Sequence, residues 1–251
     1  MNAFPEILEY VQSDDELLSI GEHYSYSDLE TLRDYRRDYL SNEEYLRLSE
    51  DEKSQLALDR YMASQKSKWE IGRDYEMSCA MQMRQRGYTV ELHGIKYRRE
   101  DLGRDLIATR RIGGLLGNEV MIIQCKNWSK DRIIHENVMF QLFGTSVEFE
   151  ICNNNINQEI IPVLMIPPHC SISPMALKVA KKLKILIERI PFKEFPRIKC
   201  NINHGERIYH LPFDQLYDRA EIKLPGEFYA WNVAEATHKG FRRAKRHIIT
   251  S

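Results

Sequence analysis

Apolar and polar residues change rhythm along this chain. In the first 60-odd residues the apolar positions are sparse and fall at helical spacing: Leu29, Leu32, Tyr35 and Tyr39, then Tyr45, Leu46 and Leu48. Four Ser-x-x-Glu steps punctuate them, Ser13 to Glu16, Ser27 to Glu30, Ser41 to Glu44 and Ser49 to Glu52. In each, the serine accepts an early backbone N–H and the glutamate reaches back to the cap, so the pattern predicts short capped helices. From Lys66 the period stays helical but lengthens. Trp69, Gly72, Glu76, Ala80, Met83 and Gly87 recur at three and four and predict one face of a long helix closed by Gly87 as a left-handed cap. Glu76 is the charged member of that face.

The rhythm then changes to that of strands. Residues 88–92 read as a short strand, and RDLIATRRIGGLLGNEVMIIQCKNW reads as two strands around a glycine-rich turn. Residues 135–150 predict a helix, 160–167 a buried strand, 173–184 a second helix and 185–190 a last strand. This order predicts an α/β fold: a mixed central sheet with helices on both faces. Residues 191–196 read as a linker. The expected division is therefore an acidic helical module at 1–64, a central domain at 65–190, and a small basic α+β module at 191–251.

The hairpin carries the chemistry. With its turn near Leu115, positions summing to about 230 face each other, which sets Asp105 opposite residues 124–126. Period-two alternation puts Gln124 and Lys126 on one face and Met121, Ile123 and Cys125 on the other. A buried strand thus ends in an amide and an ammonium beside a carboxylate. One reading is a strand running out into water, with Asp105 and Lys126 as a hairpin-end ion pair worth at most about 1 kcal/mol. The other is a site. Two carboxylates (Glu76 and Asp105), the Gln124 amide oxygen and the Cys125 backbone carbonyl form a hard-oxygen donor set suited to Mg²⁺, with Lys126 placed to orient water and offset charge on phosphate.

Composition narrows the class. A chain of 251 residues at 43% hydrophobic can bury a substantial core. Five cysteines with no CxxC argue against a disulfide framework and against a four-cysteine zinc site. The first residues lack a basic region followed by an apolar run, and no apolar stretch reaches bilayer length, so the expectation is a soluble cytoplasmic protein with no membrane partner. Residues 1–60 hold 16 acidic against 6 basic side chains, a net of −10, which leaves +9 on the rest of a chain whose total is −1. The split suggests an acidic module, open to a protein partner, joined to one that tolerates polyanions.

The run GRDLIATRR…VMIIQCKNW, after a helix bearing Glu76, resembles the Mrr-like branch of the PD-(D/E)xK nucleases, whose signature Asp…Gln-x-Lys stands here as Asp105, Gln124 and Lys126. The likeness covers roughly residues 66–190, with Gln141 and Gly144 in the helix after the motif. It implies a restriction-endonuclease-like fold and a metal-dependent endodeoxyribonuclease, with Mg²⁺ as cofactor and Mn²⁺ as substitute. Asp105, Gln124 and the Cys125 carbonyl would bind metal, Glu76 would assist, and Lys126 would act on water and the transition state. It also implies DNA as partner, a homodimer or larger assembly to cut both strands, and a role in restriction or antiphage defence. A junction resolvase, a partner- or ligand-activated nuclease, and a catalytically silent nucleic-acid-binding subunit remain alternatives. Lys130 and Arg132, just past the motif, read either as phosphate contacts or as a solvated turn. Gln141 reads as ligand or packing residue, and Trp128 as wall or stacking platform.

Residues 199–245 resemble a small module at the C-terminus of some bacterial thermonuclease-family proteins, with Cys200 where a glycine is usual. Cys200, His204 and His210 are too loosely spaced to suggest zinc. Its end, KGFRRAKRH, offers Arg242, Arg243, Lys245 and Arg246 as nucleic-acid contacts, or as a solvated basic face.

Overall fold

The computed structural model describes residues 34–94, 103–111, 117–153 and 158–244. Two of the four expected capping boxes lie within them. Ser41 with Glu44 opens α1 (Asn42–Arg47), and Ser49 with Glu52 opens α2 (Glu50–Ala63). The boxes at Ser13 and Ser27 lie outside the described residues. A further box, Ser67 with Glu70, opens α3 (Lys68–Gln85). The chain divides into two compact units, one running from Lys66 to Phe195 and the other combining the segments on either side of it.

In the first unit α3 leads into β1 (Thr89–Leu92), β2 (Leu106–Arg111) and β3 (Asn118–Cys125). Gly87 turns the chain at φ +87°, as the cap signal predicts. Then come β4 (Ile133–Ile134), α4 (Glu136–Asn153), β5 (Gln158–Ile166), β6 (Ser171–Ile172), α5 (Pro174–Lys182) and β7 (Leu186–Arg189). The main sheet runs β1-β2-β3-β5-β7. Its first two pairings are antiparallel; the last two, across α4 and α5, are parallel. This mixed sheet with helices on both faces fits a restriction-endonuclease-like fold.

The strand pattern explains the layering. Along β3, Met121, Ile123 and Cys125 face one core, with Tyr75, Cys79 and Met83 of α3. Val120 and Ile122 face the other, with Val138, Met139 and Leu142 of α4 and Ala176 and Ala180 of α5. Ile122 and Ile123 are fully buried, each contributing about 1.5–3 kcal/mol. A strand covered on both faces reads as a continuous apolar run, which is why VMII and IIPVLMI stand out in the sequence.

The buried face of α3 overlaps the expected one at Ala80 and Met83 but is turned away from Trp69. It centres on Tyr75, Cys79, Ala80 and Met83, while Trp69 is 43% exposed and takes the Arg73 guanidinium over its ring at 5.2 Å. Helical spacing alone does not separate adjacent faces, and the buried tyrosine and thiol fixed the rotation. Residues 191–193, read as part of a linker, are tied to α3. Gln82 donates to the Pro191 carbonyl at 3.0 Å, and Ser78 both donates to the Lys193 carbonyl and accepts its N–H.

The second unit combines two segments that the sequence separates. Its sheet, β10-β8-β9-β11, consists of β8 (Ile198–Asn203), β9 (Glu206–His210), β10 (Phe228–Ala230) and β11 (Arg242–Arg243), with α6 (Val233–His238) between the last two. His204 and Gly205, both at positive φ, make the two-residue turn between β8 and β9. Leu58 and Tyr61 of α2 join Ile198, Cys200, Tyr209 and Leu211 in one core. The Tyr39 and Tyr61 rings lie 4.8 and 5.6 Å from that of Phe213. Gln55 of α2 accepts the Val233 N–H at the start of α6. The shared core has a simple cause: the N-terminal helices carry too few apolar residues to bury a face among themselves. Leu46, expected on such a face, is 80% exposed.

Candidate active site

Three consecutive residues before β2 build one end of the first unit. Gly103 holds φ +80°, and a Cβ there would meet Gln141 Nε2 at 2.6 Å and Gln124 Nε2 at 3.0 Å, so a side chain would be both strained and obstructed. Arg104 is buried and reaches α4, pairing with Glu148 at 2.6 Å. Asp105 continues the antiparallel ladder, its N–H donating to the Ile123 carbonyl at 3.0 Å. One of its carboxylate oxygens accepts the Cys125 N–H at 2.5 Å. The register, Leu106 opposite Ile123, sums to 229 and carries Asp105 to the end of β3 where the hairpin arithmetic sets it.

Gln124 lies on the α4 face of β3 and is 1% exposed. Its Nε2 donates to Gln141 Oε1 at 3.4 Å, while its own Oε1 is buried without a hydrogen-bond partner. Leaving such an acceptor unpaired costs about 1–3 kcal/mol, and a native fold rarely carries that cost without cause. Gln141 reaches Gln124 from α4 and also lines a shallow groove with Phe140, Gly144, Thr145 and Glu148. Lys126 follows directly; its N–H donates to the Met165 carbonyl, which carries the β3–β5 pairing one step past the strand end.

Glu76 approaches from α3, one turn before Cys79. Burial pushes the Cys125 thiol well up from its ordinary range, Cys79 pushes the same way, and so do the negative charges of Asp105 and Glu76. Both carboxylates are therefore within electrostatic reach of the Cys125 thiol at the end of β3, one from the hairpin and one from the helix. The register brings Asp105, Gln124, Cys125 and the Lys126 backbone to one end of the sheet, and Glu76 of α3 is within electrostatic reach of Cys125. The expected set holds only two carboxylates, and among the described residues no group of three or more His, Cys, Asp or Glu could hold a metal ion. A cation here would depend on amide and carbonyl oxygens as well. The unpaired Gln124 Oε1 is an oxygen acceptor of that kind, so the residues present fit a hard divalent ion.

The expected nucleic-acid contacts fare differently. Lys130 and Arg132 are exposed, and the Arg132 guanidinium lies 4.1 Å from the Trp128 ring centre. Trp128 also packs on the second core, so its ring serves as a wall of the fold while one of its contacts is the Arg132 guanidinium. In the second unit, both terminal nitrogens of Arg243 are held by the Asp214 carboxylate, and Arg242 pairs with Glu206. Phosphate would compete with carboxylates for these guanidinium groups. Lys245 and Arg246 lie outside the described residues. Sequence reasoning missed Gly103, although a glycine directly before the Asp of a strand entry is the available signal.

Residues 69–152, 84 of the 251, match a family model described as restriction endonuclease. No curated protein and no solved structure matches the chain. The family match supports a nuclease of the restriction-endonuclease type, with DNA as its substrate class. Among the described residues no helix is long and apolar enough to cross a membrane.

Proposed function

We propose that the Lys66–Phe195 unit is a metal-dependent endonuclease that hydrolyses DNA phosphodiester bonds, as a cytoplasmic restriction or antiphage defence enzyme. The observation that carries this reading is the buried Gln124 Oε1 with no partner, set at a strand end where the Asp105 carboxylate accepts the Cys125 N–H. A fold that only needed a hairpin end would place an apolar side chain there.

Asp105, Gln124 and the Cys125 carbonyl would hold Mg²⁺ or Mn²⁺, with Glu76 assisting. When bound, such an ion polarises the scissile phosphate and makes its bound water more acidic. The chain's own groups do the rest. Asp105, fixed by the Cys125 N–H, presents its carboxylate at one orientation rather than many. Gly103 lets the backbone approach the two glutamine amides, holding Gln124 in place. Lys126, on the last bonded step of β3, orients the attacking water and offsets charge on the transition state. Two chains acting together would cut both strands.

A supercoiled-plasmid nicking assay tests this with Mg²⁺, Mn²⁺ or EDTA, comparing wild type with Asp105→Ala and Lys126→Ala. The expected result is metal-dependent cutting reduced at least about 10²-fold in both variants. Unaffected cutting by the variants would sink the site assignment. Duplex binding without cutting under any metal would favour the silent DNA-binding subunit instead.

A further inference from the structure

The loop after Lys126 is held far more firmly than a solvated turn requires. Arg132 N–H closes a turn on the Ser129 carbonyl at 3.1 Å. The Trp128 carbonyl accepts from His169 Nε2 at 3.0 Å and from the Cys170 thiol at 3.1 Å. Because a carbonyl only accepts, His169 carries its proton on Nε2. Beyond the turn, Ile133 and Ile134 pair in parallel with Ser171 and Ile172, and Ser173 N–H donates to the Ile134 carbonyl. Arg189 in turn fixes the 168–170 segment by donating to the Pro168 and Cys170 carbonyls. The loop is thus clamped on both flanks to the segment that follows β5.

Of the two exposed cations in this loop, Lys130 and Arg132, the clamp presents Arg132 on a ring. The Arg132 guanidinium lies over the Trp128 ring, and among the described residues no carboxylate pairs with it, although exposed Asp131 is its neighbour in the chain. A surface guanidinium on a ring is worth about 0.5–1 kcal/mol, which does not account for so many anchors. The loop also sits at the carboxyl ends of parallel β3, β5 and β7, the edge at which open α/β sheets take ligands. Ordering the guanidinium beforehand lowers the entropy cost of gripping a bound group.

We infer that Trp128 and Arg132 form a preset cradle for one backbone phosphate of the DNA strand, and that His169 is the positioning residue that holds the cradle against the Lys126 strand end. This rests on the nuclease reading above. It assigns His169 a role in substrate binding, with no part in the chemical step.

The test measures duplex DNA affinity by fluorescence anisotropy across a salt series in Ca²⁺, alongside steady-state cleavage in Mg²⁺. Arg132→Ala is expected to weaken binding several-fold and to reduce the slope of log K against log salt by about one. Trp128→Phe should keep the affinity and Trp128→Leu lose it. His169→Ala should raise KM several-fold with kcat at saturating DNA unchanged, and His169→Gln, which restores a donor, should recover KM. An unchanged salt slope in Arg132→Ala, or a His169→Ala effect that falls on kcat or is absent, overturns the inference while leaving wild-type cleavage intact. A wild type that neither binds nor cuts DNA would instead overturn the nuclease reading.

Discussion

Two equally buried polar side chains, Lys199 in the second unit and Gln124 in the first, are treated in opposite ways. Buried polar atoms without a hydrogen-bond partner occur in both units, Arg243 Nε and Tyr209 Oη in the second as well as Gln124 Oε1 in the first. Some buried polar groups of the second unit are nonetheless closed off by neighbours. Lys199, 1% exposed, donates to the Tyr217 and Ala220 carbonyls at 2.9 and 3.0 Å and lies under the Tyr217 ring. Arg243 is gripped by Asp214, and His210 bonds Asn201 at 3.1 Å. In the first unit Gln124 is as deeply buried as Lys199 but leaves its oxygen unmatched. The Lys199 bonds help to specify the fold of its unit, whereas the Gln124 oxygen keeps the capacity to accept from or coordinate a group that arrives later.

Gln124→Leu should break this comparison most sharply. Removing an unsatisfied amide from an apolar setting is expected to raise stability by about 1 kcal/mol in a denaturant melt. Cleavage should fall by about 10²-fold or more. A variant that is less stable and still active would mean that the Gln124 oxygen has a structural partner and no chemical one. Lys199→Met makes the opposite change. It leaves two carbonyls unpaired and should cost about 2–4 kcal/mol of second-unit stability. Cleavage measured well below the melting temperature should stay unchanged.

Gly103→Ala is intermediate. The left-handed backbone and the two amides together should cost about 1–2 kcal/mol. Cleavage should also drop, since Gln124 has to shift; an activity profile identical to wild type would separate Gly103 from the site.

The smallest effect concerns pH. Burial lowers the His210 pKa from its ordinary 6.5 to about 4, with Arg243 and Lys199 pushing the same way and Asp214 against them. The unfolded chain then takes up a proton that the folded chain refuses. This contribution to second-unit stability is complete above about pH 6.5 and falls away as pH drops toward 4. His210→Gln should flatten the stability profile across that window, as followed by thermal melts at stepped pH.

Much of the first unit was legible in the sequence because its signals are local. The alternation in VMIIQCK assigned faces to Gln124 and Cys125, and Gly87 marked a helix end. Simple register arithmetic brought Asp105 to the strand tip. The rotation of α3 was not legible, because apolar residues lie on more than one side of that helix and only contact with Tyr75 and Cys79 decides between them. The pairing of Arg242 and Arg243 with Glu206 and Asp214 was hidden for a different reason. The partners lie 36 and 29 residues away, and a basic run looks the same in sequence whether or not acids cover it. The same holds for His169, whose carbonyl partner is 41 residues earlier.

The split of the second unit across the chain also sets an order of events during synthesis. Leu58 and Tyr61 emerge from the ribosome long before Ile198, Tyr209 and Leu211, the residues they pack against. Every residue of the Lys66–Phe195 unit is made in the interval. The nuclease-type unit therefore has all of its own core available while α2 still exposes its apolar face. The residues that cover it are made only after that unit is complete.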